Sequence, residues 1–281
     1  MRLPAPLLRN KKNVHKNDFG HVLILAGSPT MLGAAALCGL AAMRAGAGLV
    51  SIGVPKSLNL TLQKKISSAI MTWPLPETRQ HSIAFSAASE ILKKIQKFDV
   101  VAVGPGLGQH KSTENFIYEI IKRSTKPLLI DADALNALAK NPSILKRSNA
   151  VKVLTPHPGE MARLTGLSKE HIEKHRKKIA LDFARRFTCT LVLKGHKTVV
   201  SSSNGEIFIN TTGNPAMAKA GSGDVLTGII AAFIAQGIAP FESAKLGVFL
   251  HGKAGDKALH LQSRPSLIAT DIIESLPSVF R

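Results

Sequence analysis

Asp224 stands directly behind Gly221-Ser222-Gly223 and ahead of an apolar, helix-patterned run over residues 225–236. At such a helix start the backbone N–H groups of residues 221–224 can point at an anion, and the helix dipole favours negative charge there. A carboxylate beside a phosphate cradle can also take the proton from an attacking hydroxyl, so the segment suits phosphoryl transfer. It is not the Walker arrangement, because Gly-x4-Gly-Lys-Ser/Thr is absent. The structural alternative is a simple one: Asp at this place is a common helix N-cap.

Three further segments carry groups that could meet a ligand, each with a structural alternative. Gly104-Pro105-Gly106-Leu107-Gly108 follows an apolar run; missing side chains let backbone approach a ligand, and equally serve a plain turn. Asp131-Ala132-Asp133-Ala134-Leu135-Asn136 offers two carboxylates for a cation or a hydrogen-bonded ligand, while Asp133 also suits a helix N-cap. In Thr155-Pro156-His157-Pro158-Gly159-Glu160 two prolines and a glycine fix a turn that presents His157 and Glu160. A lone His elsewhere is more often a packing residue.

All of these segments need strands to carry them. Short apolar runs at residues 21–26, 49–54, 99–103, 127–130 and 151–154 alternate with helical patterns at 32–45, 83–96 and 113–123. Near-continuous apolar strands alternating with helices predict a parallel sheet covered on both faces. Ligands of such sheets bind beyond the carboxyl ends of the strands, where these segments fall. After residues 169–187 come short strands at 190–193, 198–202 and 206–209, joined by hairpin turns at Gly195-His196 and Asn204-Gly205. Helices at 223–236, 241–260 and 269–276 close the chain. The expected fold is α/β, a central mostly parallel sheet with helices on both faces and a small antiparallel flank. Residues 1–281 are read as one domain, with 1–18 as an N-terminal extension.

Composition narrows the class. The chain has 281 residues, 44% hydrophobic and 20% charged, so a large core is available and general disorder is excluded. Cys38 and Cys189 cannot build a disulfide framework, and no Cys/His cluster suggests zinc. No apolar run reaches the ~18–20 residues needed to span a bilayer. Leu7-Leu8 followed by Arg9, Lys11 and Lys12 lacks the apolar stretch of a signal peptide. A cytoplasmic protein without membrane contact is expected. The formal charge of +19 attracts polyanions without choosing among them. Its densest stretch, residues 169–178, reads as a solvated helix face. Basic-aromatic interleaving is missing, so no nucleic-acid partner is expected.

The Gly-Ser-Gly-Asp segment resembles the anion hole and base of the ribokinase-like superfamily. The fuller set is similar, more narrowly, to the NAD(P)H-hydrate dehydratases: LILAGS at Leu23, GAAALCGLAAMRAGAG at Gly33, VGPGLG at Val103, DADALNAL at Asp131, LTPHPGEMARLTG at Leu154, LKGHKTVV at Leu193 and TGNPAMAKAGSGDVLTG at Thr212. The resemblance implies repair of NADHX and NADPHX, the hydrated forms of the reduced nicotinamide cofactors. A nucleotide phosphorylates the ring hydroxyl, and phosphate then leaves. Carried over residue by residue, it implies Asp224 as catalytic base and Gly33, Ala34, Gly106, His157 and Asp224 as substrate contacts. Lys194, Gly195, His196, Lys197, Thr198, Asn214, Gly221, Ser222 and Gly223 fall at nucleotide positions.

The same resemblance implies ADP as donor, with ATP as the eukaryotic variant, and Mg²⁺ on the nucleotide phosphates, with Glu160 acting on the metal through water. It further implies a homo-oligomer, a tetramer in the family. No epimerase domain is expected, so a separate epimerase would supply the (S) epimer. The competing enzyme reading is a kinase of the same superfamily acting on a hydroxymethylpyrimidine- or hydroxyethylthiazole-type vitamin precursor.

Overall fold

In the computed structural model, which describes residues 3–8 and 13–280, nine strands form one sheet. They are His21–Leu25 (β1), Leu49–Pro55 (β2), Met71–Leu75 (β3), Val100–Val103 (β4), Leu128–Ile130 (β5), Lys152–Leu154 (β6), Thr190–Leu193 (β7), Val199–Ser201 (β8) and Ile207–Ile209 (β9). Their order is β3-β2-β1-β4-β5-β6-β7-β8-β9. Pairings from β3 through β7 are all parallel, and β8 and β9 add antiparallel. The expected parallel sheet and its hairpin flank are both present.

The helices are Ala5–Leu8 (α1), Leu32–Arg44 (α2), Asn59–Gln63 (α3), Ala87–Lys94 (α4), Lys111–Arg123 (α5) and Asp133–Lys140 (α6). After β6 come Pro158–Thr165 (α7), Lys169–Lys174 (α8) and Arg176–Phe187 (α9), and after β9 Ser222–Ala235 (α10), Pro240–Leu259 (α11) and Ala269–Val279 (α12). Alternate strand residues face two cores. Val22, Ile24, Val100, Ala102 and Leu129 pack with α2, α10, α11 and α12. Leu23, Leu25, Val101, Val103 and Ile130 pack with α4, α5, α6, α7 and α9 on the other side. Burial on both faces is why the strands read as unbroken apolar runs.

One packing contact matters for the site. A Cβ on Gly228 of α10 would stand 2.2 Å from the Cys38 carbonyl oxygen of α2. The small residues of α2 therefore let α10 lie close against it, with its N-terminus at the end of β5.

Several boundaries differ from the sequence expectation. The helix expected over 83–96 starts at Ala87, and Ile83 instead bridges to Glu77. The basic stretch breaks at His175 into α8 and α9. Part of the expected N-terminal extension joins the core, through Leu3 and Leu7; Arg9, Lys11 and Lys12 lie outside the described residues. No helix among the described residues is long and apolar enough to cross a membrane.

Candidate active site

The carboxyl ends of β4, β5, β6 and β7 deliver the expected segments to one edge, and the N-terminus of α10 closes on them. Gly221, with φ +89, turns the chain into α10 and occupies its N-cap position. Asp224 is therefore the third helical residue, and the N-cap alternative is excluded. The first bond of the helix runs from Val225 N to Gly221 O at 3.0 Å. The N–H groups of Gly223 and Asp224 precede it and have no acceptor among the described residues. These two donors, with the helix dipole behind them, could receive an anion and form the candidate anion hole.

Asp224 departs from expectation in its charge. The helix start was expected to keep it ionised. Instead burial, and then the neighbouring Asp131, push its pKa up to about 7, with Lys194 pulling the other way. A carboxyl removed from water loses more than the helix terminus returns. The result is a carboxyl poised near neutrality, able to exchange a proton there.

Below it lies a buried charge cluster. Asp131, at the end of β5 and 1% exposed, accepts from Lys194 Nζ at 2.8 Å through Oδ1 and from Thr227 Oγ1 at 2.8 Å through Oδ2. Lys194 Nζ also lies 3.9 Å from Glu160 Oε2. Burial draws the ammonium pKa down, but Asp131, Glu160 and Asp224 outweigh it and raise it. The same Nζ lies 3.4 Å from where a Cβ on Gly223 would stand, so the cation sits beside the anion hole.

The Asp133 alternatives resolve differently. It is the first residue of α6 rather than its N-cap, and its Oδ2 accepts from Gly108 N at 2.8 Å. Asp133 thus tethers the glycine loop. Space at Gly106 is filled by the protein itself: a Cβ there would meet the Met31 carbonyl oxygen at 2.6 Å. Gly33 differs, for a Cβ on it would meet nothing within 4 Å, and Ala34 follows on the same exposed turn of α2.

His157 caps α7: its Nδ1 accepts from Gly159 N at 2.9 Å and Glu160 N at 3.3 Å. Half of its side chain stays exposed. Glu160, expected to reach a metal through water, is 5% exposed and returns the cap, Oε2 accepting from His157 N at 2.8 Å. Burial pushes its pKa to about 7, with Lys194 opposing. Capping and the lysine both engage this carboxylate. Among the described residues no group of three His, Cys, Asp or Glu could hold a metal ion.

Residues 194–198 form the turn between β7 and β8, with Gly195 at φ +134, Lys197 at φ +52 and Thr198 Oγ1 donating to Gly195 O. Gly195, His196 and Lys197 are exposed. Asn214 caps the turn over residues 215–217, accepting from Ala216 N, and donates to Asp256 Oδ1 on α11. Ser222 Oγ lies 3.3 Å from His251 Nε2, an imidazole that burial holds neutral with a pKa of about 4.

Four supports escaped the sequence: Thr227, His251, Asp256 and Arg176. Arg176 belongs to the basic stretch expected to face solvent. Its side chain is instead 12% exposed, and Nη2 donates to the carbonyls of Leu193 and Lys194, pinning the base of the turn between β7 and β8.

Comparisons with known proteins place the chain in a family. The bifunctional NAD(P)H-hydrate repair enzyme of Moorella thermoacetica is 44% identical over 277 residues, 99% of this chain and 52% of its own length. This chain thus spans about half the length of such bifunctional relatives. The ADP-dependent (S)-NAD(P)H-hydrate dehydratase of Bacillus subtilis is 33% identical over 99% of this chain and 95% of its own. Among solved structures, the ADP/ATP-dependent NAD(P)H-hydrate dehydratase of Bacillus subtilis, co-crystallised with ATP and Mg²⁺, superposes with a TM-score of 0.83 at 30% identity, covering 97% of this chain and 94% of that one. A ribokinase-like superfamily protein from Enterococcus faecalis reaches a TM-score of 0.82 at 26% identity, covering 97% and 90%. The fold is ribokinase-like. The family model for NAD(P)H-hydrate dehydratase matches residues 22–278, and this chain belongs to that family.

Proposed function

We propose that the chain dehydrates (S)-NADHX and (S)-NADPHX, with ADP as phosphoryl donor and ATP as the alternative. The observation that carries this reading is the start of α10. There the unpaired N–H groups of Gly223 and Asp224, the Lys194 ammonium and a carboxylate poised at about 7 converge. The names of the relatives supply the substrate and donor.

In the proposed reaction the substrate's ring hydroxyl attacks the donor's terminal phosphoryl group. Asp224 takes the hydroxyl proton as the new C–O–P bond forms and the donor's bridging P–O bond breaks. The α10 N–H groups and Lys194 hold the charge on the transferring oxygens. The carbon–oxygen bond then breaks, pushed by the ring nitrogen's lone pair. Phosphate leaves with the bonding pair, and loss of a proton from the adjacent carbon restores the ring double bond. Hydroxide would be a far poorer leaving group.

Mg²⁺ is proposed to arrive bound to the donor's phosphates, whose charge it offsets; no protein ligand is assigned to it. The open turn at Gly33 and Ala34, with His157, is proposed to face the substrate, and the turn over residues 194–198 to face the donor. Both cysteines are free and buried, in keeping with a proposed cytoplasmic setting. A separate epimerase and a homotetramer complete the proposal.

The test mixes purified protein, Mg²⁺, hydrated NADH and either ADP or ATP, and follows return of the reduced-nicotinamide absorbance. Nucleotide-dependent recovery is expected. No recovery, with a stable phosphorylated product formed when a hydroxymethylpyrimidine or hydroxyethylthiazole replaces the hydrate, would establish the kinase reading in its place.

A further inference from the structure

Asp131 has almost no exposed surface, and each of its carboxylate oxygens holds one partner from a distant part of the chain. Lys194 lies 63 residues on, at the end of β7, and Thr227 lies 96 residues on, inside α10. Thr227 is fully buried and follows Asp224 by three positions, which puts both on one face of the helix. Two hydrogen bonds thus join the strand end, the donor turn and the helix that carries the base.

Other polar contacts of α10 constrain its rotation less. Ser222 Oγ meets His251 Nε2 at a longer 3.3 Å, and Gln236 Nε2 donates to Ala45 O at 3.2 Å only at the far end of α10. Its packing on α2 is apolar, with Gly228 against the Cys38 backbone, and apolar contact is non-directional. The Thr227 hydroxyl, by contrast, bonds at a fixed distance and angle one turn from the anion hole. A buried carboxylate is costly, and stability alone would be served as well by apolar residues of similar volume.

We propose that Asp131 and Thr227 are positioning residues for phosphoryl transfer: they set the first turn of α10 against the Lys194 ammonium so that Asp224 meets the substrate hydroxyl while the N–H groups hold the phosphoryl group. This rests on the dehydratase reading given above. Misplacing a reacting group by about 1 Å costs on the order of 10²-fold in rate, which is the scale of effect expected.

The test compares wild type, Thr227→Val and Thr227→Ser in the nucleotide-dependent dehydration of NADHX, with melting curves for each. Valine keeps the shape and removes the donor; serine keeps the donor. Expected are a kcat lowered ~10–100-fold in Thr227→Val, KM values for nucleotide and hydrate within about threefold of wild type, and kcat largely restored in Thr227→Ser. Should the valine variant not fold, Asp131→Asn, which keeps the shape and an acceptor for Lys194, carries the same prediction. A folded valine variant with wild-type kcat, or one matched by the serine variant, would overturn the positioning role alone. A wild type that turns over no hydrate with either nucleotide would refute the dehydratase reading instead.

Discussion

The Lys194 ammonium lies 2.8 Å from the Asp131 carboxylate, between the turn that joins β7 to β8 and the helix that carries Asp224. One cation therefore faces three carboxylates, those of Asp131, Glu160 and Asp224. It cannot fully compensate all of them. The two carboxylates without a close ionic bond, Asp224 and Glu160, are the ones pushed to about 7.

A base with a pKa near 7 leaves a mark on the rate. Below that pH Asp224 is protonated and cannot accept the hydroxyl proton. On the dehydratase reading, kcat/KM should fall about tenfold per pH unit below neutrality, more steeply if Glu160 titrates with it. The pH–rate profile of the free enzyme checks this. An acidic limb that begins only near pH 4 would show an ordinary, solvated carboxylate at the site.

Asp224→Asn separates catalysis from stability. Loss of the base should lower turnover by ~10²–10⁴-fold. Stability should move the other way. Asp224 binds its proton more tightly folded than unfolded, so its contribution falls as pH rises from about 4, its unfolded value, to about 7. Asparagine has no such penalty. The melting temperature of the variant should exceed that of wild type by a margin that grows between pH 4 and 7 and then levels off. Equal activity, or a variant that melts lower at pH 8, would count against the base assignment.

How much of this was legible beforehand follows from sequence distance. Eight of the nine strands announce themselves, the inner ones as largely apolar runs and β8 and β9 also through their hairpin turn. β3 does not, because it is an edge strand with Pro74 and mixed exposure, only Leu75 being fully buried. Helix α7 hid behind a segment that read as a turn, since Pro158 opens it in polar sequence, whereas α6 was legible as the helix beside Asp133, one residue out of place. The glycine turn that opens α10 was local and readable. The Asp131–Lys194 and Asp131–Thr227 bonds join residues that no spacing rule connects, and burial, with Asp131 and Lys194 nearby, sets the charge state of Asp224. Arg176 shows the same limit: a basic run gives no sign that one guanidinium turns inward to cap β7.

Lys197 tests the donor turn. It is exposed and held at φ +52, and no hydrogen bond or ion pair of its side chain to the described residues competes for the ammonium. An exposed charge contact with phosphate contributes about 1 kcal/mol, or about fivefold in Kd. Lys197→Ala should weaken ADP binding by that order, less so at high salt, with a smaller change in the KM for hydrate. Calorimetry giving equal ADP affinity in wild type and variant would remove Lys197 from the donor site.

Gly33 and Gly106 look alike in sequence, yet the structure assigns them opposite behaviour. Gly106 holds φ +62, and an added Cβ would stand 2.6 Å from the Met31 carbonyl oxygen. Gly106→Ala should therefore destabilise the fold by at least about 1–2 kcal/mol from the left-handed backbone alone. The backbone clash adds to that cost. Gly33 lies in the first turn of α2 with open space where its side chain would be. Gly33→Ala should leave the fold unchanged or stabilise it by up to about 1 kcal/mol, as alanine for glycine does in a helix. If the open space is where substrate backbone contact occurs, the methyl group must raise the KM for hydrate while the melting temperature holds or rises. Thermal melts and steady-state kinetics on the two variants decide the matter. A Gly33→Ala enzyme with wild-type KM would move the substrate away from the start of α2, whereas a Gly106→Ala enzyme as stable as wild type would contradict the packing of the glycine loop against Met31.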